Sequence, residues 1–447
     1  MSAIAARIAP AGMRIRPRLA LSERMRRVCG ALGLLGLLAT GLVIAVGAAG
    51  GRTFEVPAIR AVPPDWIRGP FGSLDFTITG AQFLLVLLAM CGAYGLVLIA
   101  GQAVPARLAV GSIVLLHLIF IVAPPLLSKD IFSYLEYARL GVIHHVNPYG
   151  IHVRAFVHDP VYRYLGWKSV ASAYGPLFTI ASYPLAHMSS ATGLWIIKVL
   201  TGLASLGCVA LVWDSTRRLG RNPVPAVLFY GLNPVLLVFA VGGGHNDILM
   251  VLLGLAGVAY MLRGREGAGT FAVVCGGAIK ASIGVMIPFM VLASRDRRRA
   301  IVGTVVALAL MGAIAVIGFG SHALGVFRVL SHQQRLVSSD AIPAQIGRAV
   351  TLGGVTSDVR LVSRLLLLGS ICWLLWLVWR RGYDWIAACG WALLGLVVGS
   401  SWLLGWYVIW PLPFAAIAND KRLRVAALAF TLYFVAMRWP IIALGEG

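Results

Sequence analysis

Long apolar runs separated by short polar breaks dominate the chain, and the runs have the length of helices that cross a bilayer. A spanning helix needs roughly 20 mostly apolar residues. Such runs occupy residues 28–49, 80–100, 107–127, 174–190, 192–213, 224–241, 247–262, 270–292, 300–320, 361–379, 385–403, 405–418 and 423–441. In hydrocarbon every backbone N–H and C=O must be bonded internally, which leaves helices or a closed barrel. The runs are far longer than the roughly 10-residue alternating strands of a barrel. The pattern predicts an all-α, polytopic membrane protein with about 11–13 transmembrane helices or broken half-helices. They form one domain over residues 28–441.

Simple alternation of sides along these runs fails once. If residues 1–27 lie in the cytoplasm, the third helix emerges outside at Lys129, and residues 129–173 form a long outer loop. Strict alternation would then put Arg217, Arg218 and Arg221 outside and reverse every later basic cluster. Two breaks repair this. Residues 174–213 cross only once, with Pro176 and Pro184 interrupting the first run, and residues 267–293 form a broken pair split near Lys280. Arg263 and Arg265, Arg295 to Arg299, Arg380 and Arg381, and Lys421, Arg422 and Arg424 then all become cytoplasmic. The Gly242–Asp247 turn, the loop 321–360 and the Trp402–Tyr407 turn fall outside.

Composition fits the membrane picture. Of 447 residues, 59% are hydrophobic and 12% charged, about half the charged share of a soluble domain. The net charge of +22 would suggest nucleic acid in a soluble protein. Here the basic residues sit in short segments between apolar runs, as the positive-inside bias requires. No basic stripe is interleaved with exposed aromatics, so nucleic acid is excluded. Arg7, Arg14, Arg16, Arg18, Arg24, Arg26 and Arg27 precede the first run. A signal peptide shares that layout with a shorter apolar core, so residues 1–27 read as a basic cytoplasmic tail before a retained helix. The six cysteines lie in or beside apolar runs with no C-x-x-C spacing, which argues against disulfides or zinc.

Charged groups at membrane depth are costly and tend to mark function. Asp130 follows the third helix directly, with Phe132, Tyr134 and Tyr137 spaced to dock an interfacial helix. Its carboxylate suits a general base toward a sugar hydroxyl, or equally an N-cap for residues 131–140. Asn147-Pro148-Tyr149 lies among His144, His145, His152 and His158, whose spacings match no metal pattern on one helix face. Tyr174 opens the next apolar segment beside Gly175 and Pro176 and is placed to line a site. In Gly242-Gly243-Gly244-His245-Asn246-Asp247, glycines permit close backbone approach to a ligand, and His245, Asn246 and Asp247 supply polar groups at a membrane border. Lys280 stands alone among apolar residues and calls for an anion, a lipid phosphate being one candidate and snorkelling the alternative. Arg328, His332, Gln333, Gln334 and Arg335 suit phosphate or simply a solvated face. Trp402, Trp406, Tyr407 and Trp410 crowd one turn, as an aromatic belt or as platforms for sugar rings.

Taken in order, these stretches resemble a known family. An acidic residue opening the first large outer loop looks like the GT-C superfamily of polyprenyl-phosphate-sugar glycosyltransferases. Ser-Lys-Asp-Ile-Phe-Ser-Tyr at 128–134, Asn147-Pro148-Tyr149, Tyr174-Gly175-Pro176-Leu177, Gly243-Gly244-His245-Asn246-Asp247 and Trp406-Tyr407 resemble the actinobacterial α-(1→6)-mannopyranosyltransferases. Those enzymes extend the mannan backbone of lipomannan from polyprenyl-phosphate mannose. The resemblance implies that Asp130 is the catalytic base, taking the proton of an acceptor 6-hydroxyl while the anomeric carbon is attacked with inversion. It implies a polyprenyl-phosphate donor, a glycolipid acceptor and membrane lipids as partners, with Lys280 and Arg335 facing the departing phosphate. It implies no nucleotide sugar and an outer-face site in the plasma membrane; such enzymes often need no metal, and no cofactor is indicated, with a metal ion left open. A transporter or flippase of lipid-linked sugar is the alternative, since broken helices around a lone lysine resemble transporter sites. A non-catalytic assembly protein is the third class, for which the outer-loop polar residues would be dispensable.

Overall fold

The apolar runs become helices wherever glycine and proline permit. The computed structural model describes residues 21–50, 64–74, 76–151 and 153–437; Arg7, Arg14, Arg16, Arg18, His152 and residues 438–441 of the last run lie outside them. Helices α1 (Glu23–Ala49), α2 (Gly80–Ala100) and α3 (Ala106–Val122) pack together and lead to α4 (Asp130–Val142). That helix has no exposed residue and so buries Phe132, Tyr134 and Tyr137 in protein rather than docking them on an interface. Next come α5 (Ser190–Arg218), α6 (Asp247–Leu262), α7 (Glu266–Gly277) and α8 (Arg297–Phe319). The chain closes with α9 (Ser357–Arg381), α10 (Trp385–Val398) and α11 (Lys421–Met437). No strand occurs among the described residues. Five of these helices, α1, α2, α5, α8 and α9, are long and apolar enough to cross a membrane, and α3, α6 and α10 are shorter apolar ones. The protein is all-α and polytopic.

Helix starts are set by side-chain caps. Ser22, Thr79, Ser189, Asp296, Thr356 and Asp384 each accept a hydrogen bond from a backbone N–H of the first turn, satisfying donors that have no intrahelical partner.

Both expected breaks are present. Residues Pro176–Ser182 and the tight turn Tyr183–His187 stay at one end of the bundle, against α4. There Arg139 Nη1 donates to the Ala186 carbonyl at 2.7 Å, and Phe178 lies edge-on to Tyr134 at 5.0 Å. Within residues 174–213 only α5 is long and apolar enough to cross a membrane. Similarly, α7 stops at Gly277, Lys280 is extended (φ −151°, ψ 120°), and residues Ala281–Met286 and Ile287–Ala293 return. Two further runs are interrupted at proline. Residues 224–241 break at Asn233-Pro234, where Asn233 Oδ1 accepts from the N–H groups of Val235 and Leu236, and residues 405–418 bend at Pro411.

These breaks sort charge between the two ends. Arg218 and Arg263 share Asp214, Arg221 donates to the Ile417 carbonyl, Gly267 abuts Arg299, and Glu23, Arg26, Gln102 and Asn222 line one crevice. The basic clusters thus share one end. The opposite end carries α4, the Gly242–Asp247 turn, Lys280 and the Trp402–Tyr407 turn. Beneath that end lies Lys198, fully buried in α5, whose ammonium donates to the carbonyls of Phe120 (2.7 Å), Gly242 (2.6 Å) and Val241 (3.4 Å). A single cation caps the carbonyl ends of α3 and of the turn Leu236–Val241, groups left unpaired where those helices stop.

Candidate active site

The site is assembled where two chain reversals meet. After α3 the chain runs through Ala123-Pro124-Pro125, which cannot continue a helix, and Leu126 N–H donates to the Gly242 carbonyl at 3.1 Å. That contact brings Asp130 beside His245. It also explains the glycines. A Cβ at Gly242 would sit 2.3 Å from the Val238 carbonyl oxygen and 2.7 Å from Leu126, and Gly244 has φ +68°. The glycine run makes room for protein, chiefly Leu126 and the preceding turn, rather than for a ligand.

Asp130 does not cap α4. It stands inside the first turn, after Lys129, with no capping bond from its side chain. Its backbone N–H donates to Ser128 Oγ at 3.1 Å, and Trp167 Nε1 donates to Oδ1 at 3.2 Å. His245 Nδ1 stands 3.6 Å from Oδ2. Burial pushes this carboxyl up to about 6; the Lys280 ammonium holds it down, the Asp247 carboxylate raises it, and the bonds from Trp167 and Ser128 lower it.

Asp247, 1% exposed, accepts from Lys280 Nζ and from Trp410 Nε1, both at 2.7 Å on Oδ1. The same ammonium lies 4.3 Å from the Tyr407 ring centroid and 5.2 Å from that of Trp410, a favourable place for a partly desolvated cation. Tyr134 donates to Asn246 Oδ1 at 3.3 Å and accepts from the Asn246 N–H at 3.2 Å. Its ring meets Tyr174 edge-on at 4.9 Å. His245 stacks on Trp406, centroids 3.5 Å apart and planes 17° from parallel.

Asp130, Trp167, Tyr174, Lys280, Trp402, Trp406 and Tyr407 line a small cleft of about 50 Å³. Through Lys280, Gln333, Trp402 and Tyr407 it adjoins a groove of about 450 Å³, whose wall includes Arg360, Arg364, Leu367 and Leu396. Arg360 is held by the carbonyls of Gln334 (2.6 Å) and Arg335 (2.9 Å), and Arg364 reaches Gln334 Oε1 at 3.5 Å. A basic head above Leu367 and Leu396 has the chemistry of a lipid-phosphate seat.

Not every nominated residue joins the cleft. Asn147 and Tyr149 stand behind it. Asn147 donates to the Phe319 carbonyl at 3.0 Å, and Tyr149 bonds the Tyr174 carbonyl at 2.9 Å and Thr179 Oγ1 at 3.1 Å, so they brace the loop carrying Tyr174. Arg335 is exposed and lines neither cavity. His245, Asn246 and Asp247 lie beneath the aromatic wall, fully buried or nearly so. Among the described residues no three His, Cys, Asp or Glu side chains gather as a metal site. Sequence reasoning missed Trp167, Lys198, Arg360 and Arg364. The i, i+4 spacing of the two arginines ahead of an apolar run marks one helix face.

The loop after α4 is pinned to that helix by a second polar cluster. Asp159 accepts from Arg139 Nε (2.9 and 3.0 Å), His144 Nε2 (2.8 Å) and the Val161 N–H (2.9 Å). Beside it Glu136 is fully buried and neither carboxyl oxygen finds a donor. Burial, then the Asp159 charge, raise the Glu136 carboxyl to about 8; protonated, it can donate to Asp159. A carboxyl raised in the folded state stabilises below its ordinary range near 4.5 and loses that contribution as pH climbs through about 8. Glu136→Gln, which cannot ionise, is therefore expected to melt above the wild type, by a margin that widens from about pH 5 to about pH 8 and then levels off. A margin independent of pH in thermal melts would contradict this.

Comparison with known proteins gives a consistent result. The family described as Alpha-(1->6)-mannopyranosyltransferase, N-terminal domain, matches residues 27–296, and the MptB C-terminal domain matches residues 342–441. The chain is 27% identical over 438 residues to Alpha-(1->6)-mannopyranosyltransferase A of Mycobacterium tuberculosis, covering 88% of this chain and 81% of that protein. It is 26% identical to a probable alpha-(1->6)-mannopyranosyltransferase of Mycolicibacterium smegmatis, covering 92% and 82% respectively. A Corynebacterium glutamicum Alpha-(1->6)-mannopyranosyltransferase A is 25% identical, covering 64% and 66%. No solved structure matches the chain. Because the first match alone takes in more than half of the sequence, the chain belongs to the α-(1→6)-mannopyranosyltransferase family.

Proposed function

We propose that the chain moves mannose from polyprenyl-phosphate mannose to the 6-hydroxyl of a mannose on a lipomannan-type glycolipid, forming an α-(1→6) linkage with inversion. That it is a mannosyltransferase follows from its family; donor, acceptor and stereochemistry are the further step. One observation carries the reading. Asp130 is a partly desolvated carboxylate in an aromatic cleft that adjoins, through Lys280, a groove lined by Arg360 and Arg364.

In this mechanism an Asp130 oxygen accepts the proton of the acceptor hydroxyl as that oxygen bonds to the anomeric carbon. The bond from that carbon to the phosphate oxygen breaks, and its electron pair leaves with the lipid phosphate. Negative charge growing on the phosphate meets the largely buried Lys280, where a fixed cation counts most, and the guanidinium groups of Arg360 and Arg364 at the groove. A phosphate needs no proton to depart, so one free carboxylate suffices. Asp247, the neighbouring carboxylate, is occupied by Lys280 and Trp410. A glycoside hydrolase would need two working carboxyl groups.

Orientation follows from charge. The positive-inside bias assigns the basic end and residues 1–27 to the cytoplasm. The cleft, with loops 129–173 and 321–360, then opens at the outer face of the plasma membrane.

The test is direct. Purified protein in liposomes, given polyprenyl-phosphate [14C]mannose and a mannosylated glycolipid, is expected to yield an α-(1→6)-linked labelled product, with none from a nucleotide sugar. Donor carried across the bilayer with its sugar–phosphate bond intact would favour a flippase and overturn the proposal.

A further inference from the structure

We propose that His245 is a positioning residue: it never touches the sugar, and it donates from Nδ1 to Asp130 Oδ2, setting the carboxylate for the incoming hydroxyl. This rests on Asp130 being the base.

The observation behind it is an unpartnered buried ring. His245 is 0% exposed, and neither ring nitrogen has a hydrogen-bond partner. Buried polar groups are normally bonded, and an orphan calls for an explanation. The ring is not adrift. It stacks on Trp406 at 3.5 Å, its backbone N–H donates to the Ala240 carbonyl at 3.1 Å, and a Cβ at Gly243 would lie 2.7 Å from Nε2. Glycine at 243 therefore makes room for the Phe239 carbonyl oxygen, 2.5 Å from that Cβ position, and for the ring, which is wedged with one edge facing Asp130.

Along that edge, Nδ1 lies 3.6 Å from Oδ2. A shift of a few tenths of an ångström makes a hydrogen bond, and such bonds in unliganded sites often tighten only when substrate docks. The other carboxylate oxygen is already held by Trp167. With both partners engaged, Asp130 keeps one defined set of lone pairs toward the cleft. Trp406 separates His245 from the cleft, which it does not line.

Charge fixes the direction of the bond. Burial, then the cations of Lys280 and Lys198, hold the imidazole neutral, so one nitrogen carries the proton. A lone pair at Nδ1 would face the carboxylate; an N–H there is attracted to it. The other titratable groups facing Asp130 are Lys280 and Asp247, with the phenols of Tyr134, Tyr137, Tyr174 and Tyr407. Donation from His245 favours the ionised base, so its loss moves the acid limb of the rate profile to higher pH.

Asn places a side-chain N–H near the Nδ1 position, whereas Gln reaches toward Nε2. In liposomes with polyprenyl-phosphate mannose, His245→Gln and His245→Ala are expected to lower kcat about 10- to 100-fold. KM for donor and acceptor should stay within about twofold, and the acid limb of kcat should rise by about half a pH unit or more. His245→Asn is expected to recover most of the rate and the wild-type limb. A raised KM with an unmoved limb would mean sugar contact, and equal losses in all three variants with an unmoved limb would mean a merely structural ring; either overturns the inference. If His245→Ala fails to fold, Asn against Gln still decides. Asp130→Asn run alongside separates the two ideas: full activity there sinks the proposed function, whereas inactivity there with a normal His245→Gln sinks this inference alone.

Discussion

Asp130→Asn is expected to fold as the wild type does and to transfer mannose about 10²–10⁴-fold more slowly, the span attributed to a positioned general base. Asn preserves shape and can still accept from Trp167 Nε1, so the loop carrying Trp167 keeps its anchor. What it loses is the capacity to take a proton. Stability should not fall, and the sign can be worked out. The folded-state carboxyl is raised to about 6 from an ordinary 3.8, so ionisation is disfavoured by the fold. Its contribution to stability is full below about 3.8 and is lost as pH rises through about 6. Above that range the wild type carries a buried charge that Asn does not, and the variant should melt no lower at pH 7.5. The same shift sets the rate profile of the wild type, whose kcat should decline as pH drops through about 6 and the base protonates. A purified Asp130→Asn protein that kept a tenth or more of the wild-type rate would end the mechanism.

The legibility of this protein in its sequence divides along physical lines. Long apolar runs without proline became α1, α2, α5, α8 and α9, because in hydrocarbon run length and internal hydrogen bonding leave little choice. The breaks at residues 176–187 and at Lys280 were legible because prolines and a lone cation interrupt those runs, and because the basic clusters must share one end. The cleft was only half legible. Asp130, Tyr174, Lys280, Trp406 and Tyr407 meet there, since membrane-border polar and aromatic residues are few. Trp167 reaches Asp130 from 37 residues away through a loop with no periodicity, so nothing local announces it. The Gly242–Gly244 run reads the same whether it clears space for a ligand or for Leu126; only tertiary packing decides. Asn147 and Tyr149 form a motif that looks like binding and proves to be bracing. Lys198 was accessible to the argument applied to Lys280, a lone lysine in an apolar run, yet its partners are backbone carbonyls rather than an anion.

Lys280 and Asp247 separate stability from chemistry. Lys280→Met leaves the Asp247 carboxylate at 1% exposure with only Trp410 Nε1 as donor, and breaking a buried pair in this way costs about 3–5 kcal/mol. A pronounced fall in melting temperature is the expected result. The double variant Lys280→Met/Asp247→Leu removes both charges, and replacing a buried pair by apolar groups is often neutral or stabilising, so melting should return close to the wild type. Activity should not return with it. Lys280 lines both the cleft and the groove, where its ammonium offsets the charge growing on the leaving phosphate. That charge is greatest in the transition state, so kcat should fall about 10²–10³-fold in single and double variants alike, a loss of the size seen when one preorganised donor is removed. A pair that served only the fold would instead let the double variant regain both melting temperature and rate, and that outcome would move the phosphate site away from Lys280, toward Arg360 and Arg364 alone.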